Sequence, residues 1–115
     1  MIWGINLTRR SFMSKNQETV KNYLRGFAES VRLMMADKAS TLAVMSQVLK
    51  IDDTESLEYS YKIMRADARP DLFPTEEAIV NVLKTMVYED PAFGSIAPFK
   101  FFDLSLIQEI KAEAR

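Results

Sequence analysis

Apolar residues recur at three- and four-residue steps along most of the chain, the spacing that places side chains on one face of an α-helix. We expect the strongest helix to begin near Asn16, a favourable N-cap residue that Gln17 and Glu18 follow with acceptors and negative charge. Gly26 lies inside this helix, where it either admits a close neighbour or is simply tolerated. The predicted inner face consists of Val20, Tyr23, Leu24, Phe27, Val31, Met34 and Met35.

Two further helices are predicted, each behind an aspartate that can cap its first turn. Asp37 is expected to cap a helix over residues 38–49, and Asp52 or Asp53 a helix over residues 53–66. The predicted inner residues are Leu42, Met45, Val48 and Leu49 in the first helix and Leu57, Tyr61 and Met64 in the second.

Prolines divide the remaining chain. Residues 66–74 contain two prolines, which end the regular structure, and a fourth helix opens near residues 74–77 with Thr75 as its cap or Pro74 at its first position. Residues 90–102 are predicted to form a loop rich in proline, glycine and aromatic residues, after which Asp103 caps a last helix. The expected inner positions are Ala78, Ile79, Val82, Leu83, Met86 and Val87, then Leu104, Ile107 and Ile110.

The N-terminal residues favour a short strand. Residues 2–7 are apolar and partly β-branched, and a strand there must pair or dock, since one strand alone is not stable. Thr8 is expected to cap a helical turn over residues 9–15 that turns Phe12 and Met13 inward. The pattern as a whole predicts one mainly α domain over residues 1–115, with about five helices and one short N-terminal strand.

Composition narrows the function. Hydrophobic residues make up 48% and charged residues 27% of the chain, as in an ordinary soluble domain, which disfavours disorder. The formal net charge of −1 disfavours nucleic acid as a partner. The chain has no cysteine and no histidine, which excludes serine–histidine hydrolase chemistry and removes thiolate metal sites. We predict no enzyme, no cofactor and no metal site.

The chain shows no targeting or membrane signal. Residues 1–10 lack the apolar run and cleavage site of a signal peptide, and no stretch approaches the ~20 apolar residues that span a bilayer. No direct membrane insertion is expected. Met1 stands before what reads as the middle of a strand, so we expect an internal start, either of a cloned fragment or of a truncated reading frame.

Two kinds of charged residue are candidates for chemistry. Asp52 with Asp53, and Glu76 with Glu77, are carboxylate pairs of the kind that can share acid–base catalysis, but both stand at predicted helix starts, which favours capping. Four arginines are candidate anion ligands, although solvated surface charge is the favoured interpretation. They are Arg9, Arg10, Arg65 and Arg69.

A run over residues 8–25, with Phe12, Asn16 and Glu18, continues through residues 26–32. This run resembles a segment of the solute-binding proteins of importers for nitrate, sulfonate, taurine and thiamine precursors, and further resembling segments follow in order along the chain. The other resembling segments are residues 37–42, 59–71, 73–79 and 101–107. Gln17 stands where the family usually has proline, and Ala78 where glycine is common.

The resemblance implies the C-terminal, mainly helical part of a two-lobed α/β binding protein of an ABC importer. The intact protein would be periplasmic or at the cell surface, and would pass a small, often anionic solute to a membrane permease. The N-terminal half, which supplies much of the cleft in the family, would be missing, so no ligand contact is transferred to this chain. We expect no ligand binding by the chain alone.

Two other hypotheses stay open. A stand-alone helical interaction domain would share only the helix pattern, and coding sequence upstream of Met1 would distinguish it from the importer protein. The thiamine-precursor branch includes pyrimidine synthases, whose chemistry needs the histidine and cysteine that this chain lacks. Because an unpaired strand edge templates association, we expect a homo-oligomer with Trp3 and Ile5 near the contact.

Overall fold

The computed structural model describes residues 6–114, apart from the side chains of Phe99 and Phe101. Within these residues there are six α-helices and no strand, which confirms a mainly α chain. Of the predicted strand over residues 2–7, only Asn6 and Leu7 are described, and neither has regular structure. The helices are α1 (Arg10–Lys15), α2 (Gln17–Ala36), α3 (Lys38–Leu49), α4 (Thr54–Asp67), α5 (Glu76–Met86) and α6 (Ser105–Glu113).

Backbone contacts gather the chain into two compact units. The first unit joins the residues up to Leu24 to those from Asp71 onward, and the second is Arg25–Pro70. Helix α2 is continuous across the boundary between Leu24 and Arg25. The prediction of a single domain over residues 1–115 stays a prediction.

The first unit is built around α5. This helix packs on two short 3-10 helices, Pro91–Ser95 and Pro98–Phe101, which occupy the predicted loop. The buried apolar side chains described in the first unit are Ile79 and Leu83 on α5 and Leu106 on α6. Ile79 is the most buried of these, with 1% of its surface exposed.

The second unit holds a small core between α3 and α4. Met45, Leu57 and Tyr61 are buried together, and the half-buried side chains of Met34, Leu42 and Ile51 pack against them. The Tyr61 hydroxyl donates a hydrogen bond to the Met34 carbonyl at 3.1 Å, so the one polar atom of this core has a partner.

Helix starts follow the predicted caps closely. The side chains of Asp37, Asp53 and Thr75 accept hydrogen bonds from the backbone N–H three residues later, as N-cap residues do. Asp103 lies one residue further out than predicted. The N-cap of α6 is Leu104, which makes no capping bond, while Asp103 Oδ1 accepts from the Ser105 backbone N–H at 3.1 Å.

The predicted helical turn over residues 9–15 is present as α1, but its cap and its buried side differ from the prediction. Arg9, not Thr8, is the N-cap of α1, and it makes no side-chain capping bond. Phe12 is exposed and only Met13 is half-buried, so the prediction that both face inward is wrong for Phe12. Asn16 precedes α2 as expected, but its side-chain amide donates to the Phe12 carbonyl and closes α1.

The apolar stripes are only partly buried. Several predicted inner residues are exposed because the elements that pack here cover a narrower face than the sequence pattern offers. The exposed residues of the predicted stripes are Tyr23, Phe27, Val48, Leu49, Met64 and, marginally, Val82.

Gly26 has no close neighbour, since a methyl group at its Cα would meet nothing within 4 Å beyond the adjacent helix backbone.

Candidate functional site

The predicted carboxylate pairs are found at helix starts. Asp53 Oδ2 accepts from the Ser56 backbone N–H at 2.8 Å, and hydrogen bonds from the Ser56 side chain and backbone lower the pKa of Asp53. Glu76 and Glu77 occupy the first turn of α5, where negative charge is favourable. This arrangement agrees with capping, and Asp53, not Asp52, is the N-cap of α4.

The four candidate arginines are divided between the two units. Arg9 and Arg10 are exposed at the start of α1 in the first unit. The pKa of Asp103 is lowered, mainly by hydrogen bonds from Ser105 and to a smaller degree by the charge of Arg10. Arg65 and Arg69 belong to the second unit and are exposed there.

Arg65 lines an open depression of about 930 Å³ on the second unit, along α4. Lys38 enters it from α3, pairs with Glu58 at 2.6 Å and lies 5.8 Å from the centroid of the Tyr61 ring. Cations and carboxylates balance in the lining, so the depression is not a concentrated anion site. The charged residues that line it are Lys38, Lys62, Arg65, Asp53, Glu55 and Glu58.

The first unit has a smaller and more apolar depression of about 500 Å³. Its wall includes Phe73 and Phe102, and the ammonium of Lys111 lies 5.1 Å from the centroid of the Phe73 ring. This cation–π contact shields one aromatic face. The remaining lining residues are Pro74, Leu104, Ser105 and Gln108.

The most concentrated polar cluster was missed by the sequence reasoning. Lys21 is buried on α2, and its Nζ lies 2.7 Å from Glu109 Oε2 and 3.0 Å from Glu113 Oε1 on α6. Glu18 Oε1 is 3.5 Å away on the preceding turn of α2. One signal in the sequence was available: Lys21 lies beside Val20 and Leu24 on the apolar face of α2, and Glu109 and Glu113 are one turn apart.

The chemistry of this cluster is structural. Hydrogen bonds to Glu109 and then to Glu113 raise the pKa of Lys21, while desolvation opposes them. The ammonium therefore keeps its proton across the physiological range and is a poor general base. Its role in the described structure is to hold α6 against the start of α2.

The described residues contain no candidate metal site and no helix suited to span a membrane. Residues 6–114 contain no group of three or more His, Cys, Asp or Glu side chains that could hold a metal ion. No described helix has the length and apolar character needed to cross a bilayer. Comparison with known proteins adds no relative, since no family model, curated protein or solved structure matches the chain.

Proposed function

We propose that the chain is the C-terminal helical portion of a solute-binding protein of an ABC importer for small anionic solutes such as sulfonate, taurine or nitrate. The proposal rests on the series of resembling segments. One structural observation supports it most: three of these segments coincide with helix starts. Residues 37–42 open α3 behind Asp37, residues 73–79 open α5 behind Thr75, and residues 101–107 open α6.

The small number of buried apolar side chains also supports the proposal, because it is expected of a chain that packs against a further part of a larger protein. Among the described residues only seven apolar side chains are buried, whereas twelve large ones are exposed. α3 shows this most clearly. Its residues 39–49 carry no charge, so no charged face marks a solvent side of this helix, and yet Val44 and Val48 are exposed.

In this proposal the chain supplies packing, and the intact protein supplies the binding cleft. The intact protein acts in the periplasm or at the cell surface, holds its solute between two lobes and delivers it to a membrane permease. No residue of the chain is assigned to the solute, because the two described depressions are open and a closed cleft buries most of a small ligand.

Reading the coding sequence upstream of Met1 tests the proposal directly. We expect an in-frame N-terminal α/β lobe behind a signal peptide, and micromolar binding of one such solute by the product of the whole reading frame. Calorimetric titration of the 115-residue chain alone with taurine, nitrate or an alkyl sulfonate is expected to give no heat of binding. A reading frame that begins at Met1 would contradict the proposal.

A stand-alone helical interaction domain is the second candidate. The exposed apolar side chains favour it, because a protein can cover exposed apolar side chains with a partner as well as with a missing lobe. A reading frame confined to this chain, together with a well-folded monomer at high concentration, would favour this alternative.

We also expect the isolated chain to self-associate. A strand at residues 2–7, which lies mostly outside the described residues, would hide its unpaired edge against a second copy. Sedimentation equilibrium should give a homodimer or higher oligomer, and Trp3→Asp should give a monomer, because it places a charge in the expected contact. A wild-type chain that stays monomeric at millimolar concentration would exclude this contact.

A further inference from the structure

The two units share one continuous helix, and a glycine stands where they join. α2 runs from Gln17 to Ala36, and the boundary between the units falls between Leu24 and Arg25. Gly26 is the second residue beyond this boundary. Glycine inside a helix leaves the backbone freer to depart from helical angles than any residue with a side chain.

Neither of the usual structural reasons for a glycine applies at this position. Gly26 does not have a positive φ, since no described glycine does. It does not make room for a neighbour either, because a Cβ there would have no atom within 4 Å beyond the adjacent helix backbone. What remains is its effect on the helix itself, which is local weakening.

Ser30 weakens the same turn. Its hydroxyl donates to the Gly26 carbonyl at 2.9 Å, the oxygen that also accepts the helical hydrogen bond from the Ser30 backbone N–H. Such side-chain bonds to the carbonyl four residues earlier bend helices, and Gly/Ser pairs are recurrent places where helices kink. Gly26 and Ser30 together therefore soften one turn of α2.

The second connection between the units is not helical. The chain passes from Pro70 to Asp71 in a segment that separates α4 from α5. Leu72 has a φ of 60°, a left-handed conformation that is uncommon for residues with a side chain. Thus the first crossing is a continuous helix with one weakened turn, and the second crossing is not helical.

We propose that the Gly26–Ser30 turn of α2 is a hinge, a built-in bending point at which the first and second units change orientation. The function of the hinge is conformational, and it holds whether or not the chain belongs to a longer binding protein. The hinge makes a prediction about one residue. Replacing Gly26 by alanine should stiffen this turn, because alanine restores helix propensity without creating a clash.

Spin labels can test the hinge because the chain has no cysteine of its own. Cysteines at Tyr88 in the first unit and Val48 in the second, both exposed, would carry the labels for pulsed electron-spin distance measurements. The Gly26→Ala variant should narrow the distance distribution between them. Amide hydrogen exchange at residues 26–30 should slow about four- to fivefold, the factor that follows from the difference in helix propensity between glycine and alanine.

Two controls separate a hinge from general stabilisation. Gly94→Ala adds a methyl group at ordinary contact distance from Val87 within the first unit and should leave the distance distribution unchanged. A label pair at Val48 and Tyr59, both in the second unit, should give a narrow distribution with either glycine or alanine at position 26. Equal distribution widths for the wild-type and Gly26→Ala chains, measured between the units, would overturn the hinge.

Discussion

Ile79→Ala is expected to lower the free energy of unfolding by about 2–5 kcal/mol, the usual cost of truncating a fully buried aliphatic side chain. Ile79 has 1% of its surface exposed, the smallest fraction among the buried residues. The loss combines the transfer of the side chain with the cavity left behind. Since a domain of this size is stable by only about 5–15 kcal/mol, much of the total is at stake.

Urea unfolding followed by circular dichroism would measure this change as a lower midpoint. The matched control is Val82→Ala on the same helix, where the side chain is 36% exposed and the expected cost is about 1 kcal/mol or less. If Ile79→Ala cost no more than Val82→Ala, the buried face of α5 would be wrongly assigned.

Leu57→Ala should have a comparable effect in the second unit, about 2–5 kcal/mol. Leu57 is buried with Met45 and Tyr61, and this core has only three buried members, so few neighbours can move in to fill the space. Differential scanning calorimetry on the whole chain would register the loss as a lower transition temperature.

Leu33→Ala provides the control for Leu57. It removes the same atoms from α2, but Leu33 is 59% exposed, and alanine is at least as good a helix former. Its expected effect lies within about 0.5 kcal/mol. A large loss at Leu33 with little at Leu57 would mean that the second unit buries a different face.

Helix starts could be predicted from the sequence because their causes are local. An N-cap side chain bonds to a backbone group three residues away, so Asp37 was identifiable without knowledge of the fold. For the same reason the start of α4 was narrowed to Asp52 or Asp53, and that of α5 to Thr75 or Pro74. The cap of α1 was placed one residue too early for a related reason. Arg9 makes no capping bond, so the sequence held no cap that could identify it.

Burial could not be predicted to the same extent, because it depends on which elements meet. Tyr23 and Phe27 share the apolar face of α2, yet both are exposed, while Leu106 was not among the expected inner residues and is buried. Periodicity shows which residues share a face, but not how much of that face a neighbour covers.

The candidate sites show the same difference between local features, which the sequence predicts, and contacts between distant residues, which it does not. The sequence predicted that the Asp52–Asp53 and Glu76–Glu77 pairs serve helix starts, because that role is local, and in the structure Asp53 is the N-cap of α4. The Lys21 cluster joins residues from the two ends of the chain, and no spacing rule links positions so far apart. A lysine within an apolar stripe was the available sign, but its partners required the fold.

The order of the two units along the chain has a consequence for folding during synthesis. The second unit is one uninterrupted segment, Arg25–Pro70, so all of its contacts are available as soon as that segment leaves the ribosome. The first unit is split around it, and the bond from Lys21 to Glu113 closes a separation of 92 residues. Contacts of such long range form slowly because closing a long loop costs conformational entropy before the contact can stabilise the chain. The N-terminal part of α2 therefore cannot pack on α6 until α6 has been synthesised, and until then the ammonium of Lys21 stays hydrated.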